Sequence, residues 1–97
     1  MYSLGGRYEY FRGDFDTNTC PANSERLLTE AACESAARAL GGAYRNSGSW
    51  SWAPKGCHAG TRGWFYLNEH ATGAPRSDDQ PVCARYGSYI FTLSTVL

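Results

Sequence analysis

TEAACESAARALGG, residues 29–42, is the stretch on which the fold turns. Cys33, Ala36, Ala37 and Leu40 recur at i, i+3, i+4 and i+7, one stripe of an α-helix. Thr29 is placed to cap the first turn with its hydroxyl, and Gly41 or Gly42 can take the left-handed conformation that closes the last. Glu34 and Arg38 sit off the stripe in the favourable i,i+4 order for an ion pair. Because the stripe is made of small residues, its packing partner must approach closely, and Cys33 can fasten the two covalently. The spacing therefore predicts one central helix, about residues 30–40, laid on a short antiparallel sheet in an α+β, disulfide-stapled domain.

Outward from the helix the chain reads as short strands and turns. Residues 7–11 (RYEYF) are β-prone, and Gly13–Asp14 follow as a turn. Residues 26–28 make a brief strand into the helix, and 43–45 another after it, before the loop NSGSWS at 46–51. Segments 56–59 and 64–68 flank GTRG, a hairpin signal with glycine at both ends of the loop. Residues 68–80 are a polar loop, 81–86 (PVCARY) a strand, and 89–96 β-prone. Residues 1–6 read as a lead-in with no apolar signal-peptide core, so a targeting segment is expected to have been removed upstream or the chain to be a fragment.

Composition sets the outer limits. Ninety-seven residues make one small domain, with 11 Gly and four Cys pointing to a loop-rich chain that needs staples. Three Trp, seven Tyr and four Phe supply bulk that one small helix cannot. A formal net charge of zero gives no global field for nucleic acid or an anionic membrane. The longest apolar run falls far short of the roughly 20 residues a spanning helix needs.

The series C-P, T-E-A-x-C-E-x-A-A-x-x-L-G, W-x-x-P-x-G-C, an aromatic segment ending in Asn, and P-V-C resembles a small four-cysteine module of secreted and lumenal microalgal and protist proteins. It covers residues 20–85, carried by Cys20, Thr29, Glu30, Cys33, Glu34 and Leu40, then by Trp52, Pro54, Cys57, Asn68, Pro81 and Cys83. The resemblance divides the chain into an N-terminal extension (1–19), the module (20–85) and a β-prone tail (86–97). It implies an oxidising compartment, extracellular or organelle-lumenal, and no catalytic activity or cofactor. Four cysteines allow three pairings. Cys33 on the buried stripe with Cys57 in the hairpin beneath it, and Cys20 with Cys83 at the ends of the module, is the pairing we favour.

Several constellations invite chemistry. A zinc site on these cysteines with His58 or His70 lacks the C-x2–4-C and H-x3–5-H spacings. Cys57–His58 is no nucleophile–base pair, since neighbours on a strand point to opposite faces. Asp14, Asp16, Asp78 and Asp79 lack a calcium-loop spacing and read as solvated turn residues. Arg12–Gly13–Asp14 spells the tripeptide of integrin ligands, but Gly-Asp is ordinary turn chemistry. Trp50, Trp64 and Tyr66, with Trp52 and Tyr44, can form a platform for sugar rings. Set against that, Trp52, Phe65 and Leu67 fill the core and Trp64 and Tyr66 cover the other face.

The functional expectation is a non-enzymatic accessory subunit that docks onto other proteins of a larger assembly. Tyr8, Tyr10, Tyr89, Phe91 and Leu93 on the two β-prone flanks are its contact residues. The resemblance makes the thylakoid lumen of a microalga, with a photosystem as membrane-complex host, one home for it. A carbohydrate-binding module is the alternative, and a small hydrolase a more remote one.

Overall fold

The computed structural model describes residues 8–86. The predicted lead-in and, apart from Tyr86, the β-prone tail, with Tyr89, Phe91 and Leu93, lie outside the described residues. Helix α1 spans Glu30–Ala39. The Thr29 hydroxyl accepts the Ala32 amide at 3.2 Å, which fixes its start. Gly41, at φ +79°, reverses the chain so that the Gly42 amide reaches back to the Ala37 carbonyl at 2.8 Å. Cys33, Ala36 and Ala37 are buried, as the stripe requires. The expected Glu34–Arg38 ion pair is not made; it is absent from the ion pairs among the described residues.

The sheet is larger than the sequence suggested, and the fold is mostly sheet. Six strands form it: β1 (Tyr8–Arg12), β2 (Glu25–Arg26), β3 (Ala43–Gly48), β4 (Gly56–Gly60), β5 (Trp64–Asn68) and β6 (Asp79–Tyr86). Their order is β1-β6-β4-β5-β3, with β2 also paired to β6. It is mixed rather than antiparallel, because β3 runs parallel to β5, with an irregularity between Tyr44 and Asn46. That pairing draws residues 46–48, expected as loop, into β3. β1, in the predicted extension, pairs with β6 from Tyr8↔Tyr86 to Arg12↔Val82. The GTRG hairpin joins β4 to β5 as expected.

Two disulfides lock this arrangement, Cys33–Cys57 between helix and sheet and Cys20–Cys83 between the 20–24 loop and β6. The core lies between α1 and one face of the sheet, where Ala36, Ala37, Ala59, Phe65, Val82 and Ala84 pack around the first of them. Trp52, expected in that core, is instead 54 % exposed on the opposite side. Its loop crosses the far end of β5 and never reaches α1. Two disulfides in so small a domain are the mark of an oxidising compartment. No described helix is long and apolar enough to cross a membrane.

Candidate functional site: an aromatic cleft on the open face of the sheet

Alternation along β4 and β5 gives the sheet two unlike faces. Cys57, Ala59 and Phe65 point at α1, so His58, Trp64 and Tyr66 point away from it. His58 and Tyr66 are register partners, and their rings stack with centroids 5.7 Å apart. Trp50 stands edge-on to both, 6.0 Å from each ring. Trp52 extends the cluster at 6.2 Å from Trp50. Together with Trp64 these side chains wall an open cleft of about 440 Å³, within the size range of small-molecule sites.

Residues 49–55 carry two of the tryptophans, and the loop owes its shape to Asn68. β3 and β4 lie on opposite flanks of β5, so the chain between them must arch over the end of β5, where Asn68 is the last residue. Gly48 and Gly56 are both its register partners. The buried Asn68 side chain satisfies the arch from beneath. Its Nδ2 lies 2.7, 2.9 and 3.0 Å from the carbonyls of Trp50, Ala53 and Pro54. Its Oδ1 accepts the amides of Trp50 at 2.8 Å and His70 at 3.1 Å. Gly48 permits the final approach, because a Cβ there would stand 2.3 Å from the Trp50 ring.

The cleft's polar groups come from β6 and the loop before it, from His58 on β4, and from Thr61 and Arg62 in the β4–β5 turn. Arg76 holds Asp78 at 3.0 Å, approaches Asp79 at 3.8 Å, and lies over the Trp52 ring at 4.6 Å. Arg45 lies over Trp64 at 4.6 Å. Guanidinium stacking of this kind holds exposed indoles in fixed orientations. Both carboxylates lie beside the one Arg76 guanidinium.

At the floor, His58 is 4 % exposed and Asp79 8 %. Their Nδ1 and Oδ2 atoms are 3.7 Å apart, beyond hydrogen-bond reach, and neither ring nitrogen of His58 has a hydrogen-bond partner in the protein. Burial, helped by the Arg76 charge, lowers the His58 pKa from 6.5 to about 4, so the ring is neutral at neutral pH. Burial likewise raises the Asp79 carboxyl; Arg76 opposes that rise and Asp78 adds to it. Asp79 is thus not the solvated turn residue expected of it.

Of the predicted platform, the structure brings together Trp50, Trp52, Trp64 and Tyr66. Tyr44 is on the other side, packed against the core with its hydroxyl donating to Glu30 at 2.9 Å. His70 is a turn residue whose Nδ1 accepts the Gly73 amide at 3.0 Å. Among the described residues no group of His, Cys, Asp or Glu could hold a metal ion. Arg12–Gly13–Asp14 is tied down, with the Gly13 amide donating to Pro81 at 2.7 Å and Arg12 over the Phe65 ring. Of the docking residues, Tyr8 is half-exposed on β1 and Tyr10 packs against the core. His58, Asn68 and Arg76 were not foreseen as site residues. His58 was within reach, because the alternation that parts it from Cys57 also puts it beside Tyr66. No family model, curated protein or solved structure matches this chain.

Proposed function

We propose that this chain is a non-enzymatic recognition module that binds carbohydrate in the open-face cleft, as an accessory part of a larger extracellular or organelle-lumenal assembly. One observation carries the reading. Three tryptophans and a tyrosine wall a cleft whose floor is polar, and that combination matches a pyranose ring, apolar on its faces and hydroxylated at its rim. The rings are fixed before any ligand arrives by Asn68, Gly48 and two stacked guanidinium groups, which lowers the entropic cost of binding. A glycan array probed with the oxidised chain tests the reading. Retention on neutral glycans, weakened at least tenfold by Trp64→Ala and by Trp50→Ala, is the expected result. Silence across the array overturns it.

A second reading, docking onto protein, is favoured by the opposite end of the sheet. Tyr8 and Leu28 are 50 % and 59 % exposed there, and among the described residues no strand pairs with the outer edge of β1. Such an edge accepts an added strand from a partner. A lumenal photosynthetic complex, the host implied by the sequence resemblance, belongs to this reading. Cross-linking in a native extract, lost on Tyr8→Glu while glycan retention stays, supports it; cross-linking that is indifferent to Tyr8 removes it.

A further inference from the structure

We infer that His58 and Asp79 form a two-sided seat for a single sugar hydroxyl at the floor of the cleft, and that this contact decides which sugar the module retains. The inference rests on the carbohydrate reading and adds the chemical group that is recognised.

A native interior seldom leaves an imidazole without a partner, because an unmatched buried donor or acceptor is costly. Here both ring nitrogens lack one, and the ring is among the most buried groups of the cleft wall. An Asp79 carboxylate oxygen stands 3.7 Å from Nδ1. That separation is too long for a direct bond yet suits one oxygen standing about 2.8 Å from each. The two sides ask for opposite things. A carboxylate accepts only, and with its negative charge beside Nδ1 the imidazole keeps its proton on that nitrogen and donates. A hydroxyl satisfies both at once, donating to Asp79 and accepting from His58. An ammonium or guanidinium group would have to force the imidazole proton onto Nε2 and would enter beside the Arg76 charge, and a carboxylate or phosphate would be set against Asp79. The recognised group is thus a neutral hydroxyl, and the stacked His58–Tyr66 pair with Trp50 across it sets the plane in which its ring lies.

Entry to the seat is over Arg76. Its contact with Asp79, at 3.8 Å, is longer than a hydrogen bond, and its side chain is 42 % exposed. A hydroxyl that reaches Asp79 displaces this long contact while Arg76 keeps Asp78 and the Trp52 ring.

The test pairs a variant with a set of probes. The intact, oxidised chain is titrated by NMR with the methyl glycosides of glucose, galactose and mannose and with each of their monodeoxy forms. In the wild-type chain one deoxygenation should weaken binding at least tenfold, while the others have small effects. In His58→Phe that same deoxygenation should make no difference, and the variant should melt at or above the wild-type temperature, since an unmatched polar group has been replaced by an apolar ring. His58→Leu is the smaller alternative should the phenyl ring crowd Trp50. Glycoside binding with no deoxy penalty, or a penalty that survives in both variants, overturns the seat and leaves the carbohydrate reading standing. If no glycoside binds the wild-type chain, both fall.

Discussion

The two faces of one sheet are built on opposite principles. Toward α1, β4 and β5 present Cys57, Ala59 and Phe65, all buried, and the helix answers with alanines and a disulfide. Small residues there bring the backbones together. On the other face the same strands present His58, Trp64 and Tyr66, and among the described residues no helix or strand covers them. Large rings stand half in solvent, steadied by stacked guanidinium groups, around an imidazole with no hydrogen bond. The first face is arranged for stability. The second carries a cost to stability that folding alone does not require, and such a cost is what a recognition site incurs.

The sharpest way to break this contrast is to remove the residue on which the open face depends. Asn68→Ala strips the arch of residues 49–55 of four close contacts and the His70 amide of a fifth, and leaves buried carbonyls without donors. We expect a loss of roughly 3–5 kcal/mol, seen in denaturant unfolding, with tryptophan emission shifted to the red as Trp50 leaves its place. Unchanged emission would mean that the loop holds its own shape.

Next in size is a comparison across the sheet. Ala37→Leu overfills the close-packed side and should cost roughly 1–3 kcal/mol. Trp52→Ala removes a far larger side chain from the open side, yet should change stability by no more than about 0.5 kcal/mol, because the ring is mostly in solvent. Equal losses in the two melting curves would show that the open face stabilises the fold as the closed one does.

The smallest effect is in acid. His58 has its folded pKa lowered to about 4, so between there and 6.5 the unfolded chain binds the proton more readily and stability falls as pH falls. At pH 5.5 the loss from this group should be on the order of 1 kcal/mol. Asp79 works the other way: its carboxyl is raised in the folded state, so its share of stability is present in acid and lost as pH rises through its folded pKa. His58→Phe isolates the carboxyl, and its melting temperature should rise on mild acidification where the wild type's falls. A fall in both assigns the acid sensitivity elsewhere.

What was legible in the sequence is what local rules decide. The stripe of Cys33, Ala36 and Ala37, the Thr29 cap, the Gly41 reversal and the GTRG turn each depend on neighbours within a few positions, and all are found. The Cys33–Cys57 pairing followed from the face the helix buries, and Cys20–Cys83 from their places at the two ends of the module. Trp52 was misplaced because periodicity cannot report that residues 49–55 must arch over the end of β5. The parallel pairing of β3 with β5 was hidden for the same reason, since nothing in 43–48 names a partner twenty residues on. Asp79 sits in a polar run and reads as solvated. Its burial comes from β6 joining β4 opposite Gly60. Trp64 and Tyr66 were placed on one face by alternation, and the other half of their site came from elsewhere in the chain.

Cys57 and His58 are consecutive residues on β4, the one bonded to the helix and the other at the cleft floor. The bond that ties helix to sheet and the imidazole of the cleft floor are therefore one backbone step apart. β4 is held by its pairing with β5 and β6 as well as by Cys33–Cys57, so the packing of the closed face and the geometry of the open face are set by the same strand.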